Sequence, residues 1–311
     1  MADPSVTPPD TIEIPGPWQH RYVAANGARF HVAEAIPTGG GSGPLVVLLH
    51  GFPEFWWAWR HQLPALADAG YRAVAMDLRG YGGSDKTPRG YDPVTLAQDV
   101  SGVVKSLGGR SAILVGHGWG GYVAWATAVL HARRVSALCA VSAPHPTTML
   151  RALRPGDGIG ALRHVLAMQL PRRPERRLAD ASSGFLEGHL RSWAASGSTF
   201  PDQHAVSTYQ RAISLWPAPH CALEYHRWLV RSRARTDGRL FRERMRPPVG
   251  QPVCCVAGDG DPAMPHGALR DSRRHVVGEF TERLMPGVGH FPPEEDPDGF
   301  TDILLSWLRT L

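Results

Sequence analysis

The sequence predicts an α/β fold: a mostly parallel sheet of eight strands with helices on both faces, interrupted late in the chain by an inserted helical cap. Three observations carry that prediction. Strand-like and helix-like segments alternate from residue 45 to residue 141. Residues 45–49 read LVVLL, the unbroken apolar run that a strand buried on both faces of a parallel sheet requires. The alternation stops near Pro144 and resumes after Pro252, and the stretch between is helical, rich in arginine and broken by prolines.

In chain order, residues 1–17 are rich in proline, contain Asp3 and Asp10, and lack the basic start and apolar stretch of a signal peptide, so they are expected to form a flexible tail. Residues 18–23 and 28–35 flank Asn26-Gly27, a strong hairpin signal, which predicts two antiparallel strands. A glycine-rich loop at 39–43 leads to the strand 45–49. Helical spacing over 59–69 ends at Gly70 and is followed by a strand at 71–76. A helix at 94–107 ends at Gly108-Gly109; a strand at 112–115, a helix at 119–131 and a strand at 135–141 follow. The cap is bounded at 146–246 and is interrupted by Pro155, Pro171, Pro174, Pro201, Pro217 and Pro219. Strands at 253–257 and 280–285 and a closing helix at 298–311 complete a core made of 18–145 and 247–311. No internal repeat is visible.

Composition narrows the function classes. An apolar fraction of 43% over 311 residues is that of a soluble globular protein. No apolar run reaches the roughly 18 residues of a membrane-spanning helix, and a cytoplasmic location is expected. The four cysteines, Cys139, Cys221, Cys254 and Cys255, have no zinc-ligand spacing and read as buried reduced thiols, so neither a metal nor a cofactor is expected. The net charge of +5 is nearly all arginine, Lys86 and Lys105 being the only lysines. Arginines cluster at 151–177 and 227–246, but no aromatic stripe interleaves them, which argues against nucleic acid. Peripheral contact of the basic cap with an acidic membrane surface stays open, as does the choice between monomer and homodimer.

Four motifs carry chemistry. Gly116-His117-Gly118-Trp119-Gly120-Gly121 lies between the strand 112–115 and the helix 119–131, the context of a nucleophile elbow, where small residues let strand and helix approach closely. Every small position is filled, and the nucleophile position itself is Gly118. His50-Gly51-Phe52-Pro53 follows the strand 45–49, and the backbone N–H groups of Phe52 and Trp119 are the expected oxyanion-hole donors. The glycine-rich stretch 77–85 is expected to be structural, tied by pairing of its aspartates with Arg79. Gly258-Asp259-Gly260-Asp261-Pro262 and Gly287-Val288-Gly289-His290-Phe291-Pro292 each follow a late strand. They place a carboxylate and then an imidazole in the order acid, base: His290 as general base, and Asp261, favoured over Asp259 by spacing, as the group that orients it.

Together these motifs resemble the epoxide hydrolase branch of the α/β-hydrolase fold family, near the haloalkane and fluoroacetate dehalogenases. The resemblance implies an elbow aspartate that attacks the epoxide to form an ester, a His–Asp pair that activates water to cleave it, and two lid tyrosines that hold the epoxide oxygen. The chain departs from it at Gly118, where no ester can form. It departs again in the lid, where the segment 222–227 (ALEYHR) resembles the tyrosine-bearing one but carries His226 in that place, with Tyr225 one residue earlier. Around 164–169 there is no tyrosine, although Tyr209 is available elsewhere in the lid. His50, Pro53, His117, Tyr209, Tyr225 and His226 are the expected pocket and cap residues. The implied function is hydrolysis of a small or medium apolar epoxide or related substrate, with His290–Asp261 as the water-activating pair and the covalent route impaired or absent. The alternatives are a non-catalytic binding protein for an apolar ligand and a dehalogenase- or esterase-like hydrolase. An engineered or sporadic origin of Gly118 also stays open.

Overall fold

The computed structural model describes residues 9–37, 39, 43–152, 159–263 and 267–311. Residues 1–8, most of the loop expected at 39–43, and Pro155 lie outside the described residues. The described part of the expected tail is docked, not free. A single turn, α1 (Pro9–Ile12), buries Ile12 in the core. The Trp56 indole donates to the Ile12 carbonyl, and Trp18 donates to that of Ile14. Ile12 and Ile14 supply the apolar surface that a proline-rich reading of the segment overlooks.

The eight strands are β1 (Gln19–Ala25), β2 (Ala28–Ala35), β3 (Leu45–Leu49), β4 (Arg72–Met76), β5 (Ala112–His117), β6 (Val135–Val141), β7 (Val253–Gly258) and β8 (Phe280–Met285). They form one sheet in the order β1-β2-β4-β3-β5-β6-β7-β8. The β1–β2 and β2–β4 pairs are antiparallel and all others parallel. Asn26 and Gly27 turn the first hairpin with φ of 46° and 72°, the left-handed pair that matches strand twist. The middle strands β3, β5, β6 and β7 are buried throughout except Ser136, whereas β8, at the edge, is half exposed.

On one face pack α2 (Gln62–Asp68) and the closing helix α14 (Pro297–Leu308); on the other pack α3 (Pro93–Ser106) and α4 (Trp119–Leu130). The Asp92 carboxylate accepts from the N–H groups of Val94 and Thr95, and Pro93 occupies the first turn, which together start α3. The helix expected over 59–69 is split. Trp56–Trp59 forms a 3₁₀ turn and α2 begins at Gln62, because Pro64 has no N–H to donate and fits only in a first turn. The loop 77–85 also differs in its pairing. Arg79 grips Asp99 of α3 through two bonds of 2.7 and 2.6 Å, while Asp77 accepts from His31 and from the Trp56 and Gly83 N–H groups.

Between β6 and β7 the described chain is helical: α5 (Pro146–Ala152), α6 (Ile159–Ala167), α7 (Arg173–Ala179), α8 (Phe185–Trp193), α9 (Gln203–Ile213), α10 (Ala218–Arg231) and α11 (Thr236–Arg244). The buried Arg227 side chain ties this layer together, donating to Glu175 of α7 and to the carbonyls of Met168 and Leu170. Two short helices, α12 (Gly267–Ser272) and α13 (Pro292–Glu295), complete the second half. All four cysteines are free and buried, and no described helix is long and apolar enough to cross a membrane.

Candidate active site

The tight turn from β5 into α4 is built by contacts that only glycine permits. A Cβ on Gly116 would lie 2.5 Å from the Gly120 carbonyl oxygen, and one on Gly120 would lie 2.2 Å from that of Leu49. Both are impossible contacts with backbone, so strand and helix meet here without side chains between them. Gly118 differs. Its backbone holds φ 51° and ψ −115°, a strained conformation for any residue with a side chain. A Cβ there would sit 3.6 Å from the His290 Nε2 and 3.6 Å from the Gly51 Cα, ordinary contact distances. The turn therefore keeps the geometry that presents a side chain to His290, at a residue that has none.

His290 lies in the loop after β8, and its Nδ1 is 2.9 Å from the Asp261 Oδ2 in the loop after β7, both side chains being buried. A carboxylate only accepts, so Nδ1 carries the proton and Nε2 presents a lone pair toward Gly118. Asp259 is elsewhere: it is exposed and caps the Gly287 N–H. The His290 loop is held from three sides. The His290 N–H donates to the Trp193 carbonyl of α8, and the His290 carbonyl accepts from the His117 Nε2. The Glu295 carboxylate accepts from the N–H groups of Gly289, Phe291 and Ala195. Opposite this loop, the Phe52 and Trp119 N–H groups have no hydrogen-bond partner among the described residues.

His117 faces two oxygen acceptors, the His290 carbonyl at 2.7 Å and the Glu54 Oε2 at 2.7 Å, so both ring nitrogens donate and the ring is an imidazolium. Burial disfavours that charge, but the Glu54 carboxylate outweighs it and holds His117 above the ordinary imidazole range. Glu54 also accepts from the Gly51 N–H. This buried pair thus joins the loop after β3 to the loop after β8.

Over the elbow the cap presents imidazoles. His164 of α6, His189 of α8 and His226 of α10 each stand with their rings within 6 Å of Phe52. Trp193 packs on His164, His189 and His290. The Trp119 indole N–H donates to the His226 Nε2 at 3.1 Å, and the His226 Nδ1 faces the Ala222 carbonyl at 3.3 Å. That fixes a neutral His226 with its proton on Nδ1. The His164 Nε2, 3.2 Å from the same acceptor, must then carry its own proton. Two N–H donors, from Trp119 and His164, converge on one lone pair beside the elbow. Burial holds His189 down to about 3 and His226 to about 4, and burial followed by the neighbouring imidazoles holds His164 far below its usual range.

Of the residues expected to line the pocket, the structure brings His226 to this point, against Phe52 of the expected oxyanion hole, and Pro53 is buried next to Phe52 in the chain. It does not bring the others. His50 spends Nδ1 on the Gly51 carbonyl and accepts from the Leu78 N–H at Nε2. His117 is consumed between Glu54 and the His290 carbonyl. The Tyr209 hydroxyl donates to Glu294, itself clamped by Arg60, and the Tyr225 hydroxyl donates to the Arg79 carbonyl. Each of these side chains is buried with its polar atoms satisfied inside the protein, which is why none is presented to a ligand. His164, His189 and Glu295 were not expected. The relation of His164 and His189 to the elbow arises from how the cap docks, and no sequence spacing encodes it, whereas Glu295 follows His290 in the same loop, four and six residues after the Phe291 and Gly289 N–H groups it accepts from. Among the described residues no cluster of three or more His, Cys, Asp or Glu side chains has metal-binding geometry.

Comparison with known proteins agrees with this architecture. Residues 44–297 match the family model described as the alpha/beta hydrolase fold. The chain is 30% identical to epoxide hydrolase A of Mycobacterium tuberculosis over 329 aligned positions, covering 94% of this chain and 97% of that one. It is 42% identical to the AB hydrolase superfamily protein YfhM of Bacillus subtilis over 294 positions, covering 93% and 97%. Among solved structures it is similar to epoxide hydrolase A from Mycobacterium thermoresistibile, with a TM-score of 0.77, 27% identity and coverage of 94% and 98%. It is also similar to Cfl2 from Burkholderia cenocepacia, with a TM-score of 0.80, 29% identity and coverage of 93% and 95%.

Proposed function

The chain belongs to the α/β-hydrolase fold family, in its epoxide hydrolase branch, and from that premise we propose that it hydrolyses a small or medium apolar epoxide by direct attack of water, without a covalent intermediate. The observation that carries this reading is the 3.6 Å between the His290 Nε2 and the position of a Gly118 Cβ. The space that a nucleophile's side chain would fill lies within reach of the base, on the side of its lone pair.

In this mechanism the Phe52 and Trp119 N–H groups hold the oxygen of the attacking water, and His290 removes its proton as the oxygen bonds to the epoxide carbon. Asp261 fixes the Nδ1 proton and stabilises the imidazolium that forms. The carbon–oxygen bond of the epoxide breaks, and its oxygen is received by the Trp119 indole and His164 imidazole N–H donors, which exchange the single lone pair of His226 for an acceptor with two. The alkoxide takes up a proton as His290 returns to neutrality, giving a diol. General-base assistance of this kind is worth about 10²–10⁴-fold. Turnover is therefore slow compared with enzymes that have a nucleophile of their own.

The test is incubation of the purified chain with aryl and alkyl epoxides, following diol and intact protein mass together. The expected result is slow diol formation, linear from the first time point, with no mass added to the protein and with activity lost in His290→Gln. Prompt, rapid multiple turnover, or a protein adduct of the substrate's mass, would overturn the reading.

A further inference from the structure

Charge is divided unevenly along the chain. Residues 146–246 hold 17 arginines and eight acidic residues, whereas the rest of the sequence holds 16 basic and 20 acidic residues. The helical layer is thus a basic body set on an acidic one. Part of this basicity lies on one outer face. Arg172, Arg173, Arg176 and Arg177 are exposed, while Pro174, Glu175 and Leu178 of the same helix turn inward. Arg172, Arg173 and Arg176 form no ion pair among the described residues. The two carboxylates that line the groove with Arg172 and Arg176 are already committed, Glu175 to Arg227 at 2.6 Å and Glu224 to Arg227 and Arg231.

Large apolar side chains stand out beside these arginines. Trp216 is 73% exposed and shares a groove with Arg172, Arg176 and Arg231. Leu170 is 49% exposed and lies between two residues of the same groove, Gln169 and Pro171; Leu166, one turn earlier, is 51% exposed. An indole and two leucines presented to water within a field of unpaired arginines match an interface with acyl chains below and anionic headgroups above. The helices that carry this face also carry the site. On α6, His164 turns to the elbow while Leu166 turns outward, and on α10, His226 turns inward while Glu224 and Arg231 face the groove.

We infer that the face formed by Leu166, Leu170, Trp216 and the arginines 172, 173 and 176 docks on an anionic lipid bilayer, setting the cap against the phase in which an apolar substrate accumulates. The docking is independent of whether the site turns over. Near an anionic leaflet each basic residue is worth roughly fivefold in partitioning, so the three arginines together supply on the order of 100-fold.

The experiment is sedimentation of the full chain with vesicles of phosphatidylcholine, alone or mixed with phosphatidylglycerol, at low and high salt. The expected result is binding to the mixed vesicles only, weakened by salt, with a blue shift of tryptophan emission that is lost in Trp216→Ser. Replacing Arg172, Arg173 and Arg176 together by glutamine should weaken binding on the order of 100-fold. Replacing Arg233, Arg235 and Arg239, which are exposed as well, should change it far less, which separates a local face from net charge. Thermal unfolding of each variant checks that the fold is kept. Absence of binding to mixed vesicles, equal losses in the two triple variants, or binding abolished by free phosphate or duplex DNA at matched ionic strength would overturn the inference.

Discussion

Replacing Gly118 by aspartate should restore covalent chemistry at a modest cost in stability, and the structure sets the size of both effects. The backbone at Gly118 has φ 51° and ψ −115°, so any side chain introduces strain of about 1–3 kcal/mol. The added Cβ meets nothing closer than 3.6 Å, so no packing penalty adds to this. Gly120→Ala is the internal comparison. Its Cβ would lie 2.2 Å from the Leu49 carbonyl oxygen, and backbone on both sides would have to move, which puts the expected loss above about 4 kcal/mol. A fold of ordinary stability, about 5–15 kcal/mol, survives the first change and is compromised by the second. Urea unfolding measures both. Incubation of Gly118→Asp with an epoxide, quenched early and weighed intact, should show the protein plus one substrate mass, which His290 then clears. The reasoning is refuted if Gly118→Asp unfolds as readily as Gly120→Ala, or if it folds and yields neither adduct nor diol across an epoxide panel.

Three further outcomes follow from the same geometry. Asp261→Asn replaces an acceptor by an amide that donates to Nδ1, moving the imidazole proton to Nε2. Hydrolysis should fall by about 10²–10⁴-fold with little change in unfolding, whereas Asp259→Asn should leave the rate nearly unchanged. Glu295→Gln disturbs three backbone N–H bonds around His290, so kcat should fall while KM moves little. The cap imidazoles make the protein acid-sensitive. Unfolded histidines titrate near 6.5, while burial holds His226 at about 4 and His189 at about 3. Between these values the unfolded chain binds more protons, so this stability is complete above about pH 6.5 and is lost as pH falls through the window, by several kcal/mol in all. Urea midpoints measured across that window should drop steeply, and less so in His226→Gln; a flat profile would contradict the assigned neutral cluster.

Much of the fold was legible because its signals are local. The run LVVLL needs two covered faces, Asn26-Gly27 needs a hairpin, and the glycines at 116, 120 and 121 need a strand and helix in near contact. The pairing of Asp261 with His290 follows from the order in which late strands deliver a carboxylate and an imidazole. What was not legible depends on docking. Tyr209 and Tyr225 looked available, but their hydroxyls are taken by Glu294 and by the Arg79 carbonyl, 85 and 146 residues away in sequence. Arg79 found Asp99 across a helix and not an aspartate of its own loop. His164 and His189 meet over the elbow only because α6 and α8 are laid across it, and two isolated histidines among 15 give no spacing from which to read that. Their removal from water and their unusual number at one point became visible only in three dimensions.

The central claim, that water and not the protein attacks the epoxide, is tested most directly by a single turnover in ¹⁸O-labelled water with enzyme in excess over substrate. Direct attack predicts that the diol formed in that first turnover carries the label and that no peptide gains it. An unlabelled first-turnover diol, with ¹⁸O retained in a protein carboxylate, would contradict the account. Gly118→Asp, run beside it, should give that second pattern.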